Sequence, residues 1–98
     1  MSAILLTENS SNDYTISGDL TFATIDETIV NKLPFNQERI SVDFAPVTIA
    51  DSAGLALLVE WQKKATRKNI TLQFKNLPQQ IKALARLVEV NDLIKNTL

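Results

Sequence analysis

Residues Asp51-Ser-Ala-Gly-Leu-Ala-Leu-Leu58 follow a strand-like run, Arg39-Ile-Ser-Val-Asp-Phe44, and set a hydroxyl beside a carboxylate where a helix should begin. A helix start has unpaired backbone N–H groups and a partial positive charge. Two chemistries suit that position. Asp51 and Ser52 are both residue types that cap a helix. Ser52 could also accept a phosphoryl group, which the local field would tolerate and which would change the charge of the surface. Asp51 is read first as the cap, contributing on the order of 1 kcal/mol; the alternative is a carboxylate that positions a kinase's metal or takes the hydroxyl proton.

The composition narrows the chemistry further. The 98 residues contain no histidine and no cysteine. Thiol nucleophiles, disulfides, Cys/His zinc sites and histidine-based triads are therefore excluded. A net charge of −1 gives no overall electrostatic footprint for nucleic acid or anionic lipid. The carboxylates are scattered over turns and exposed faces without a convergent pair, and no Gly-rich phosphate loop occurs, so neither catalysis nor nucleotide hydrolysis is expected. No cofactor, metal ion or nucleic acid is expected either. Hydrophobic residues at 45% and charged residues at 21% suit one globular domain spanning 1–98. Met1–Glu8 lacks a basic region and carries one short apolar run, so no cleavable leader is expected. No apolar stretch approaches the roughly 18 residues of a membrane span, and the chain is expected to be cytoplasmic, without direct membrane insertion.

The elements that must position Asp51 and Ser52 can be read from periodicity. Ala3–Leu6 and Tyr14–Ser17 read as strands joined by the polar turn Glu8–Asp13. Phe22, Ile25, Ile29 and Leu33 fall on one helical face, which Pro34 ends. Ile40, Val42 and Phe44 form the next strand face, and Ile70, Leu72 and Phe74 another. Between them a helix is expected from Ser52 to Lys68, with Asn69 as a left-handed stop. Ile81, Leu84, Ala85 and Val88 keep a helical period after Pro78, and Asn91 or Asp92 caps a last short helix to Leu98. The order β-β-α-β-α-β-α-α implies an α/β fold: a four-stranded mixed, mostly parallel sheet, an antiparallel edge strand and about four helices.

On the Ser52–Lys68 helix, a spacing of 100° per residue gathers Leu57, Leu58, Trp61 and Ala65 on the core side. Ser52, Ala53, Ala56 and Val59 lie towards the opposite side, which carries Glu60 and Lys63. Small residues on a charged face leave a low patch that a partner helix can approach, with rim charges setting orientation; alanine as a plain helix former is the competing explanation. The patch needs loops to complete it, and Leu20–Thr24 and Ala45–Ala50 are the candidates. Gly54, one of only two glycines, is costly inside a helix by about 1 kcal/mol, which points to close packing against the third strand.

Gly18-Asp19-Leu20 after the second strand and Asp51-Ser-Ala-Gly-Leu55 opening the second helix resemble the STAS domain family. Ile70-Thr-Leu-Gln73, Asn76 and Leu84-Ala-Arg-Leu87 add a resemblance to its MlaB-like members, which more often have Thr and Gly where this chain has Ser52 and Ala53. The resemblance implies a non-enzymatic accessory subunit of an Mla-type phospholipid-transport ABC complex. Its partner would be the MlaF-like ATPase subunit, itself bound to a membrane permease, holding the chain at the inner membrane. A second branch, the anti-sigma-factor antagonists, implies instead that Ser52 is phosphorylated by an anti-sigma serine kinase.

Overall fold

A computed structural model describes residues 2–88; the expected last helix from Asn91 or Asp92 to Leu98 lies outside the described residues. Strands β1 (Leu5–Ser10), β2 (Asp13–Ser17), β3 (Arg39–Asp43) and β4 (Thr71–Lys75) form one sheet in the order β1-β2-β3-β4. β1 is antiparallel to β2, and the other two pairings are parallel. The mixed α/β sheet with an antiparallel edge strand is thus the architecture expected from the order of elements. Three helices follow among the described residues: α1 (Glu27–Val30), α2 (Ser52–Arg67) and α3 (Gln79–Leu87).

Alternation along the strands decides which face is covered. Tyr14, Ile16, Ile40, Val42, Leu72 and Phe74 are buried on one face, in a core shared with Leu57, Leu58 and Trp61 of α2 and Ile81 and Ala85 of α3. The other face carries polar residues in register. Thr7, Thr15, Asp43 and Lys75 line up across all four strands, and Asp13, Ser41 and Gln73 across three. A sheet with one polar face keeps that alternation, whereas a parallel sheet covered on both faces would read as continuous apolar runs.

The N-terminal half departs from expectation in two places. β1 lies later than Ala3–Leu6 and takes in Glu8, Asn9 and Ser10, and the turn tightens to Ser11-Asn12 with Asn12 at φ 73°. β1 is an edge strand whose side chains are mostly exposed, so its polar half carries no burial signal. The helix expected from Phe22 to Leu33 is only the single turn Glu27–Val30. Residues ahead of it are diverted into a turn. The Thr24 hydroxyl is bonded to the Asp19 carbonyl at 2.5 Å and accepts from the Thr21 amide at 3.0 Å, and Asp26 then caps Ile29 N at 3.1 Å. Leu33 is buried, but Phe22 is 87% exposed.

α2 runs as expected. Asp51 flanks its start, Lys68 its end, and Asn69 follows at φ 57°. Trp61 is fully buried and donates its indole N–H to Val30 O at 3.0 Å, fastening α1 over α2. Gln62, which periodicity alone does not mark, is buried and donates to Leu72 O of the far edge strand at 3.0 Å. Phe44 and Phe74 meet edge to face at 5.5 Å.

Gly54 does mark a close approach, but not to the third strand. A Cβ there would lie 2.9 Å from Leu20 O, 3.1 Å from Leu20 Cβ and 3.2 Å from Ile81 Cδ1. Gly54→Ala therefore gains about 1 kcal/mol of helix propensity against an overpacking cost of about 1–3 kcal/mol. The contact with backbone makes the cost prevail, and a net loss of stability is expected in urea denaturation.

Two carboxylates on the polar face are held below the usual range by hydrogen bonds. Asp13 accepts from Ser41 Oγ at 2.5 Å and from Ser10 Oγ at 3.0 Å, and Asp43 accepts from Asn76 Nδ2 at 3.0 Å and Ala45 N at 2.9 Å. Their folded pKa values are lowered, so the stability they contribute is present above the ordinary carboxylate value of about 3.9 and is lost as pH falls through the lowered values. Ser41→Ala is expected to move the Asp13 titration up towards the ordinary range and leave that of Asp43 in place, as read by carboxyl-carbon NMR.

Candidate partner-docking site

The site is built around one carboxylate. Asp51 has extended backbone, and its Oδ1 accepts from Ala53 N at 2.9 Å, closing the cap of α2. Its Oδ2 accepts from Phe22 N at 3.1 Å. Its own backbone N donates to Leu20 O at 3.0 Å, while Leu20 N donates to Ile49 O at 2.9 Å, completing an isolated parallel bridge between Leu20 and Ala50. Both side-chain oxygens are thus engaged by backbone donors. Asp51 is a cap that doubles as a tie between loops, and this is the role the geometry gives it in place of a base.

That tie fixes what stands around the helix start. The 21–24 loop projects Phe22 to solvent, and the segment before Asp51 projects Ile49, 52% exposed. Both segments are bonded to the residue that caps α2, whose outward side adds further members. Ser52 and Ala56 are exposed, and Ala53 and Val59 are half-buried. Glu60 and Lys63 follow, 4.0 Å apart and each about half exposed; such an exposed pair contributes little to stability but can orient a partner. The helix thus brings Ser52, Ala53, Ala56, Val59, Glu60 and Lys63 onto one side.

Phe22 and Ile49 are the members that sequence reasoning missed. Phe22 satisfies a helical period shared with Ile25, Ile29 and Leu33, whereas Ile49 belongs to no periodic pattern. Only their loops, Leu20–Thr24 and Ala45–Ala50, were legible as contributors. An exposed phenyl and an exposed isoleucine on segments tied to the α2 start are candidates for burial against another protein. Among the described residues no cluster of three or more acidic, His or Cys side chains stands ready to hold a metal ion. Nor is any described helix long and apolar enough to cross a membrane.

The sequence model of the family described as Mlab, STAS domain, matches residues 9–95. The chain belongs to the STAS domain family. No curated protein matches the chain closely enough to count as a relative.

Because Asp51 carries two bonds, its variants separate capping from tying. Asp51→Ala is expected to lose about 1 kcal/mol or more of stability, the usual value of a cap, and to speed hydrogen exchange at the Phe22 amide. Asp51→Asn keeps a capping oxygen at Ala53 but offers a weaker acceptor or a donor to Phe22. It should retain most of the stability while still raising exchange at Phe22.

Proposed function

We propose that the chain is a non-enzymatic accessory subunit that docks on the ATPase of an Mla-type ABC transporter for phospholipid, on the cytoplasmic side of the inner membrane. The observation that carries the reading is the pair of exposed apolar side chains, Phe22 and Ile49, on the two segments that hydrogen bonds tie to the α2 start. The match to the family described as Mlab, STAS domain, supports it. Docking would act by linkage. A subunit that binds one arrangement of the ATPase better than others raises the population of that arrangement, and its effect grows with the ratio of its concentration to Kd. The α2 patch alone is small against the roughly 1,200–2,000 Å² of a stable interface, so both flanking loops belong to the docking surface. The permease is reached through the ATPase, and maintenance of lipid asymmetry in the outer membrane would be the process served.

A second reading is favoured by one feature. Ser52 is exposed at the first turn of α2, where a kinase could reach its hydroxyl. In an anti-sigma-factor antagonist that serine would be the switch, binding an anti-sigma kinase when unmodified and releasing it when phosphorylated.

Tagged protein recovered from membranes of the source cell is expected to bring down an ABC ATPase with its permease. Phe22→Ala should weaken that complex by about tenfold or more, since a central aromatic in an interface commonly contributes over 1.4 kcal/mol. Recovery of a serine kinase instead, with phosphate on Ser52 by mass spectrometry, would replace the transporter reading with the second one.

A further inference from the structure

We propose that the cleft beside the docking surface receives an apolar side chain carried on a basic segment of the partner. The proposal rests on the docking reading above and names the chemistry of what docks. The cleft has a volume of about 340 Å³ and lies between the N-terminal segment and the approach to α1, lined by Ala3, Ile4, Ala23, Thr24, Asp26 and Ile29. It is continuous with the candidate site through the 21–24 loop, which presents Phe22 outward and supplies Ala23 and Thr24 to the cleft wall.

Four of the six lining residues are apolar. Thr24 spends its hydroxyl on Asp19 O, Thr21 O and Thr21 N, which leaves the exposed Asp26 as the charged group of the lining. Oδ1 of Asp26 accepts from Ile29 N, and Oδ2 remains for an incoming cation. Asp26 in the lining and Glu27 next to it are both exposed acids, while Lys64, which reaches the end of α1, is engaged by Asn31 Oδ1 at 2.9 Å. An anionic lipid or an acidic peptide would be repelled at the cleft. A segment bearing Lys or Arg beside a Leu or Phe matches both its charge and its apolar walls, with the charges speeding encounter and the apolar side chain slowing release.

Three variants test this. Asp26→Asn with Glu27→Gln removes two charges while leaving a capping side chain at position 26. Ala23→Trp occupies the cleft from an exposed wall. Phe22→Ala reports on the docking surface alone. Binding to the purified ATPase subunit is followed by stopped-flow and equilibrium titration. The double variant is expected to slow association by about tenfold at low ionic strength and hardly at all at high salt. Ala23→Trp is expected to raise Kd by about tenfold or more at either salt, with its own thermal unfolding unchanged. If Phe22→Ala weakens binding while the other two variants leave it intact, the docking surface stands and the cleft proposal is overturned. Where the ATPase does not bind at all, a synthetic amphipathic Leu/Lys peptide and its Leu/Glu counterpart are titrated by NMR. Shifts at Ala3, Ile4, Ala23 and Thr24 with the Lys peptide alone uphold the cleft and discard the ATPase; shifts with neither or both overturn the proposal. Self-association abolished by Ala23→Trp, or the same shifts with phosphatidylglycerol vesicles, would also overturn it by assigning the cleft to a second copy or to lipid.

Discussion

The Asp51 carboxylate joins two parts of the chain that are 29 residues apart, and the shape of the candidate surface depends on that junction. One oxygen caps the start of α2 and the other holds the backbone of Phe22, while the main chain of the same residue bonds Leu20. Gly54 lets the arrangement close. With no side chain of its own, it admits Leu20 O where a Cβ would lie at 2.9 Å. The helix start, the 20–24 loop and the segment before Asp51 therefore behave as one unit rather than as three loops that meet by chance. A docking surface built on such a unit loses little entropy on binding, because its loops are already held in place.

How far the sequence revealed this can be argued element by element. β2, β3 and β4 and the whole of α2 follow from period, because each has a buried side facing one core. α1 did not follow. Phe22, Ile25, Ile29 and Leu33 satisfy the helical spacing, but local hydrogen bonds from Thr24 compete for the backbone and a capping Asp26 delays the start. Spacing reports which residues could share a face; it does not report whether side-chain oxygens divert the chain first. The same limit hid the neighbour of Gly54. A glycine inside a helix signals that something approaches, yet only topology brings Leu20 and Ile81 to it. In the candidate site, the six α2 residues were legible because helical geometry fixes their side. Phe22 and Ile49 were not, because the exposure of a loop residue has no period.

The structure also separates the two charges of the helix. At its C-terminal turn, Lys64 and Arg67 complement the negative end of the dipole. Lys64 also lies 5.5 Å from the centroid of the Phe35 ring and donates to Asn31 Oδ1, so part of that cationic end serves packing. At the N-terminal turn the complement is Asp51 alone, and its negative charge is spent on bonds within the fold. What faces solvent in that turn is the uncharged Ser52. The two ends of one helix thereby differ, one presenting charged side chains and the other none beyond the internally bonded Asp51.

This bears on Ser52 whichever protein docks. A phosphate at a helix start is ordinarily favourable because unpaired amides face it. Here the amide of Ala53 is taken by the Asp51 side chain, and those of Gly54 and Leu55 by the Asp51 carbonyl. A phosphoryl group on Ser52 would find those donors occupied and a carboxylate beside it. In free protein, water would solvate it at little cost. In a complex covering the start of α2, the same charge would be buried with the nearby amides already occupied, and unpaired buried charge is strongly unfavourable. Phosphorylation would therefore cost the complex far more than the free protein, and the difference between the two states is all that a switch requires. A transporter subunit and a partner-switching antagonist would inherit the same sign of control from the same two residues, Asp51 and Ser52.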